Sequence, residues 1–355
     1  VIQYEQTFLT ASRPQDKLRS SKEGMIGMAS NPTSAFDPTQ WEGLLHSGIQ
    51  GTFMRLPFVQ ADAHKLRGAG ATVAFLGFPW DSTCISRTGT NYGPKSLREV
   101  SYQFQFFNAT TGVDLTQAYT MVDCGDVPVL PGNSGTTMDS AQKMLDEILT
   151  AGAIPVMMGG DHSITIAGVR SFRSRFKRPG LINIDTHLDT APQLGGELIS
   201  HCCPLSRAVD AGFDPKRMVI IGANGWLNPR SELEYAQEKG ITIISMDDVE
   251  RMGAGAAARK AAKIASHDTD GLYLTIDIDA LDAAFAPGCG VPTPGGLTSR
   301  EMIRIVHEVS RFGLGAVDIV EVSPAWDKEG ITSSIACRLI LEALAGNLDA
   351  AARAR

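Results

Sequence analysis

An α/β fold on a mostly parallel sheet is the class that this sequence predicts. Three observations predict it. Short apolar runs rich in β-branched residues recur along the chain, stretches of helical period separate them, and the two kinds alternate from about residue 71 to the end. Such alternation implies crossover connections and helices on both faces of the sheet. A length of 355 residues allows one large domain or two smaller ones. A composition 43% apolar and 20% charged supplies a sizeable core and gives no sign of disorder.

The elements follow in order. Residues 1–67 are mixed and polar, with turn signals at Asn31-Pro-Thr-Ser34 and Phe36-Asp-Pro38 and an apolar-basic patch over 48–57. We expect an ordered N-terminal extension there, packed on the main domain over 68–355 or on a neighbouring subunit. The run 72–78 reads as a strand that ends in Pro79-Trp-Asp81. Pro94 sits in the first turn of a helix expected over 94–107, a position that proline tolerates. A strand over 119–124 comes next. Met144, Leu145, Ile148 and Leu149 share one face of a helix over 139–150. The same signals give strand 153–158, helix 162–175, strands 181–185 and 217–222, helix 230–239 and strand 241–245. Helices within 247–266, strand 272–278, helix 299–311, strand 316–321 and helix 332–345 complete the chain. There is no internal repeat and no low-complexity tract.

Net charge is −7 with no basic block, so nucleic acid and anionic membrane are poor partners. An acidic site for a small cationic substrate suits the balance better. The six cysteines show no C-x-x-C spacing, which for a chain of this length reads as reduced thiols and a cytoplasmic setting. No run of 18 apolar residues predicts a membrane span. Residues 1–7 lack a basic region followed by an apolar core, so no secretory signal is expected; the chain opens on Val1, which leaves a processed leader open.

Three strand ends carry chemistry. Asp185-Thr-His-Leu-Asp189 follows an apolar strand and places ligand-type side chains at i, i+2 and i+4, which point the same way in extended chain. Gly159-Gly-Asp-His-Ser163 and Asp277-Ile-Asp279 end two other apolar strands. Together they offer His162, Asp185, His187, Asp189, Asp277 and Asp279. Two imidazoles and four carboxylates suffice for two cations with bridging carboxylates, and this donor set suits Mn²⁺ better than a thiolate site would. In parallel sheets chemistry sits beyond the carboxyl ends of the strands, where all six fall.

With those residues the chain resembles the ureohydrolase (arginase/agmatinase) family. The signatures are Gly159-Gly-Asp-His-Ser163, Asp185-Thr-His-Leu-Asp189, and Asp277-Ile-Asp-Ala-Leu-Asp282 leading into the Pro- and Gly-rich stretch to Gly296. Stretches 51–57, 89–98 and 123–128 look like the agmatinase and guanidinobutyrase branch, and loop 190–200 lacks the Asn and Ser pattern by which arginases grip an α-amino acid. The resemblance implies a three-layer α/β/α sandwich and a binuclear centre, with Mn²⁺ expected and Ni²⁺ as the alternative. One ion would take His162, Asp185, Asp189 and Asp277; the other would take Asp185, His187, Asp277 and Asp279. It also implies a homotrimer or homohexamer, with a mixed oligomer as the alternative.

The implied reaction is metal-assisted hydrolysis of a guanidino C–N bond of a small guanidino substrate, releasing urea or a urea-like product and an amine. By the same resemblance Asp279 orients the attacking water and carries a proton to the leaving amine. Glu321 holds the guanidinium through paired charge-assisted hydrogen bonds, and His201 is a proton shuttle or substrate contact. Trp326 is a candidate wall of the pocket.

Departures from the family cluster around substrate recognition. His201-Cys-Cys203 stands where His-Gly-Thr is common, Thr186 replaces Ala, and Asn224 occupies a position that often holds Arg. Losing that Arg points away from a carboxylate-bearing substrate and toward an atypical one, such as a small or alkylated guanidine or a biguanide; guanidinobutyrate is the other candidate. Two rival readings are a single-zinc deacetylase, which would not call for both His162 and Asp279, and a non-catalytic partner subunit, which should have lost ligands.

Overall fold

The computed structural model describes residues 51–353. Its eight strands are β1 (Val73–Phe78), β2 (Met121–Asp126), β3 (Ile154–Gly159), β4 (Pro179–Ile184), β5 (Met218–Ala223), β6 (Thr242–Ser245), β7 (Gly271–Asp277) and β8 (Leu314–Val320). Each expected strand is present to within two residues. All join one sheet in the order β2-β1-β3-β8-β7-β4-β5-β6, and every neighbouring pair is parallel. The late strands β7 and β8 therefore slot between the early strands β3 and β4.

Helices cover both faces. They are α1 (Ala63–Gly68), α2 (Gly93–Ser101), α3 (Ser134–Ala151), α4 (Thr165–Arg175), α5 (Pro204–Ala211), α6 (Arg230–Lys239), α7 (Met246–Met252), α8 (Ala254–Ala265), α9 (Ser299–Ser310) and α10 (Ile331–Arg353). Strand side chains alternate between two cores, as period 2 requires. On β1, Val73 and Phe75 join the core that includes Ala261 of α8, Ile305 of α9 and Ile340 of α10. Ala74, Leu76 and Phe78 join the opposite core, with Leu145 of α3 and Val169 of α4. The result is the three-layer α/β/α sandwich. Burial on both faces explains why the strands read as near-continuous apolar runs. Residues 331–348 of α10 are long and apolar enough to cross a membrane, but 67% of that stretch is buried within the fold.

Several helix bounds differ from expectation. The helix expected over 94–107 stops at Ser101, whose hydroxyl turns back to Arg98 O and accepts from Met54 N. The helix expected over 162–175 begins with a separate 3-10 turn, His162–Ile164. The stretch 247–266 divides at Gly253, which has φ +81°. The short helices α1 and α5 were not anticipated, although α5 carries Pro204 in its first turn and Gly212 at its left-handed cap.

Of the extension expected over 1–67, residues 1–50 lie outside the described residues. Residues 51–67 pack on the sheet. Phe53 is fully buried and stacks on Phe75 with ring centroids 4.5 Å apart. Asp123 donates its backbone N–H to Pro57 O at 3.0 Å, and Val59 donates to Asp123 O at 3.0 Å.

A buried ion pair ties this region together. Arg98 reaches Asp123 through Nε at 2.9 Å and Nη2 at 3.0 Å, and it also donates to Asp126 and to Gly125 O. The Asp123 carboxylate further accepts from the backbone N–H of Phe53 and of Gly125. Removing only the guanidinium would strand a carboxylate that has no exposure to water. Arg98→Met is therefore expected to cost about 3–5 kcal/mol of stability, read from the urea unfolding midpoint, with Asp123→Asn in the same chain recovering part of the loss.

Candidate metal and active site

Four adjacent strands, β3, β8, β7 and β4, deliver their next residues to one place at the carboxyl edge of the sheet. β3 runs into Gly159 and Gly160. A Cβ on Gly160 would lie 1.9 Å from Trp80 O, so glycine is required for the chain to pass. Asp161 then accepts from Ser163 N at 3.1 Å and turns the chain so that His162 faces the sheet edge.

The six predicted ligands converge. His162 Nδ1 lies 3.2 Å from Asp185 Oδ2, 2.9 Å from Asp189 Oδ2 and 3.2 Å from Asp277 Oδ2. His187 Nδ1 lies 3.2 Å from Asp279 Oδ2 and 3.5 Å from Asp185 Oδ1. Two donor groups result, His162–Asp185–Asp277 and Asp185–His187–Asp279, and Asp185 belongs to both. Asp189 reaches the cage only because its backbone adopts φ +49°, rare for a residue with a side chain.

A surrounding layer fixes these groups. His162 Nε2 lies 2.9 Å from Thr275 Oγ1, which leads through Thr165 to Asp318 and Tyr273. Asp185 accepts from His187 N at 2.6 Å and from Asn183 Nδ2 at 3.2 Å, and Asp277 accepts from Asp279 N at 2.8 Å. With Nε2 spoken for, His162 Nδ1 points at three carboxylate oxygens and has no hydrogen-bond partner of proper geometry; Asp279 Oδ1 is also buried without one.

Electrostatics agree with the geometry. Burial opposes a charged imidazole, yet Asp185, Asp189 and Asp277 outweigh it and hold His162 well above its ordinary value. His187 is likewise held high: burial opposes this, and Asp279 and Asp185 prevail. Burial, with Asp279 and Asp185 beside it, pushes Asp277 well up, and burial lifts Asp279 to about 6 against the pull of His187. A cage that stabilises extra positive charge on both histidines is one that cations fit. The donor set, two imidazole nitrogens and four carboxylates with orphaned atoms aimed inward, suits a pair of divalent ions.

Glu321 stands beside the cage, just past β8, at φ +63°. Its Oε1 accepts from His162 N at 2.9 Å and lies 3.2 Å from His201 Nδ1. Burial opposes protonation of His201, but Cys202 and Glu321 raise it to about 12. His201 is held in place by its N–H bond to Thr83 Oγ1 at 3.0 Å, and Thr83 Oγ1 donates to Asp161 Oδ2 at 2.9 Å.

A cleft of about 280 Å³ opens onto these residues. His187, Asp189, Asp277, Asp279, His201 and Glu321 line its floor; its walls include Ile85, Asn228, Glu232 and Val291. Asn224 and Trp326, expected to touch substrate, are not among the lining residues. Asn224 Nδ2 donates to Pro294 O at 3.1 Å. Trp326 Nε1 donates to Thr88 O at 3.1 Å, and the Arg87 guanidinium lies over its ring. Cys202 lines the cleft, whereas Cys203 is fully buried. Thr186 is also buried, with its hydroxyl unpaired.

Sequence reasoning missed Thr275, Asp161, Asn228 and Glu232. Asn228 accepts from Leu188 N and donates to Thr186 O, which clamps the Asp185–Asp189 loop. Glu232, pushed by burial and by Asp189 to about 7, accepts from Thr190 N. Asp161 stood in view within the Gly-Gly-Asp-His motif.

The profile of the arginase family matches residues 71–346. Proclavaminate amidinohydrolase of Streptomyces clavuligerus is 34% identical over 295 residues, covering 82% of this chain and 91% of that one. Its solved structure superposes with a TM-score of 0.77 over 86% of this chain and 99% of that chain, at 32% identity. The mitochondrial guanidino acid hydrolase of Homo sapiens is 33% identical, over 82% of this chain and 81% of that one. Agmatinase of Bacillus subtilis is 31% identical, over 78% and 92%.

Thr275 supports His162 through the ring nitrogen that faces away from the carboxylates. Thr275→Val is expected to weaken metal retention about 10–100-fold, read by titration with a competing chelator, while Cys203→Ser leaves metal content unchanged.

Proposed function

The chain belongs to the arginase family, and from that membership we propose that it cleaves a small cationic guanidine lacking a carboxylate, releasing urea or a urea-like product and an amine. That it is a hydrolase of guanidino C–N bonds follows from its relatives. The substrate, the metal and the residue roles are the proposal.

The observation that carries it is the charge of the cleft. Two acids outside the cage, Glu321 and Glu232, line it, and among the described residues no Lys or Arg does. Among the described residues outside the cage, a carboxylate tail would find only the His201 imidazole, already engaged with Glu321, whereas a guanidinium would find two acids. The position whose usual Arg is missing, Asn224, lies off the cleft and supplies no charge. Apolar Ile85, Leu227 and Val291 leave room for an alkyl substituent.

In this proposal His162, Asp185, Asp189 and Asp277 hold one divalent cation, and Asp185, His187, Asp277 and Asp279 hold the other. Mn²⁺ is the expected metal, with Ni²⁺ the alternative. The pair would supply Lewis-acid activation of the attacking water. Glu321 binds the guanidinium through charge-assisted hydrogen bonds. Asp279, whose Oδ1 has no other hydrogen-bond partner, orients the water and receives its proton. His201 begins protonated against Glu321; once the guanidinium takes over that carboxylate, its proton is available to the leaving amine. Retention of all six cage residues argues against a non-catalytic subunit.

The test is urea and amine release by apo-protein reloaded with Mn²⁺, Ni²⁺ or Zn²⁺. Agmatine, guanidine, alkylguanidines and biguanides are the carboxylate-free substrates; arginine and 4-guanidinobutyrate are the comparison. The best carboxylate-free compound should exceed both acids by at least about tenfold in kcat/KM. Turnover of none of them sinks the enzyme, and preference for an acid sinks the specificity. Glu321→Gln is expected to lower kcat/KM by about 10²–10³-fold with both metal ions retained.

A further inference from the structure

Beside the six-residue cage the structure assembles a second kind of donor set. Cys84, on the loop after β1, joins His201 and Glu321, and one donor atom from each lies within 4.8 Å of the others. We propose that these three residues form a third cation site, for a thiophilic divalent ion such as zinc or cadmium, which overlaps the guanidinium subsite and so blocks substrate.

Geometry and chemistry both favour it. Tetrahedral zinc with bonds of about 2.0–2.3 Å separates a sulfur, a nitrogen and an oxygen ligand by roughly 3.3–3.6 Å. His201 Nδ1 and Glu321 Oε1 already stand 3.2 Å apart. Cys84 belongs to a loop tied to this corner: Thr83 N and Oγ1 both donate to Asp161, and Gly89 N donates to Asp81. Only a small closure of that loop brings its sulfur to bonding distance. The other nitrogen of the ring, His201 Nε2, is buried without a hydrogen-bond partner. Cys202 lines the cleft on the same side and is a candidate for the open fourth position.

The state of the thiol adds selectivity. Burial and the Glu321 and Asp161 carboxylates raise Cys84 above its ordinary range, so as a free thiol it is neutral and unreactive. Coordination deprotonates the thiol outright and displaces the proton that His201 holds against Glu321, and both protons pass to solvent. A hard ion such as Mn²⁺ gains little from sulfur and stays in the oxygen-rich cage, whereas a soft ion gains most at Cys84. None of the six cage residues is a cysteine, so an added ion that exchanges into the cage gives no sulfur-to-metal signal, and dependence of the signal on Cys84 identifies the third site.

The experiment titrates manganese-loaded holoenzyme with cadmium and reads the ultraviolet thiolate-to-cadmium charge-transfer band, with inhibition measured in parallel. The band should rise to one equivalent per chain as activity falls. Cys84→Ser should abolish the band and raise the half-inhibitory cadmium concentration at least tenfold, and Cys289→Ser should change neither. No band in the wild-type protein, or a band that survives in Cys84→Ser, overturns the site. Overlap with the substrate rests on the reading of Glu321 given above and is tested separately: saturating agmatine or guanidine should raise the cadmium needed for the band. A Cys84-dependent band indifferent to every guanidine would leave the third site standing and overturn the guanidinium role of Glu321.

Discussion

Crowding of buried carboxylates is the constraint on which this structure turns. Asp185, Asp189, Asp277 and Asp279 are each less than a tenth exposed and stand around two histidines. Four like charges taken from water repel strongly and lose their solvation. The protein compensates with backbone N–H groups aimed at Asp185 and Asp277, and with imidazoles held toward their charged form. That compensation is incomplete, since His162 Nδ1 and Asp279 Oδ1 remain unpaired. A fold that keeps such a cluster is organised around positive charge at that place, which the proposed pair of cations would supply.

The sheet order makes the crowding achievable. Residues 162 and 321 are far apart in the chain, yet β3 and β8 are neighbours, and β7 and β4 follow directly. Inserting the last two strands between the first and second halves of the sheet puts four carboxyl ends side by side. Each end still needs help to aim its side chain. Glu321 and Asp189 sit at positive φ, and Gly160 lets backbones approach where any side chain would collide. Of five described non-glycine residues at positive φ, two stand at the candidate site, where the surroundings over-determine the backbone.

Much of this was legible in the chain because burial leaves a periodic trace. Eight apolar runs announced eight strands, and the cage residues follow three of them in short polar bursts. What could not be read depends on contacts distant in sequence. Thr275 looks like any strand threonine until its hydroxyl is seen against His162. Glu232 reads as a surface acid on a polar helix, yet it faces the cleft because α6 packs beside the Asp185–Asp189 loop. Asn224 is singled out by the Arg that related chains often carry at its position and Trp326 by its place five residues after Glu321, and neither ground fixes the direction of a side chain. Asn224 turns to Pro294 and Trp326 to Thr88, each satisfying a backbone carbonyl instead of facing the cleft. The helix expected to run to residue 107 failed for a related reason: Ser101 is committed to Met54 from an earlier segment, a partner that local propensity cannot reveal.

Charge balance carries the specificity one step further. On the proposed occupancy, two divalent ions offset the four cage carboxylates, and the cleft is left with Glu321, Glu232 and His201. Glu321 and His201 neutralise each other while the cleft holds no substrate. Glu232, which burial and Asp189 beside it lift above the usual carboxylate range, adds negative charge at the wall wherever it is ionised. A guanidinium entering this space would replace the imidazolium at Glu321 without leaving either carboxylate unpaired, whereas an incoming carboxylate would meet two acids and, among the described residues, no guanidinium or ammonium. On that proposal binding and rejection come from the same two side chains, and the cleft would discriminate by the sign of the tail more than by its length.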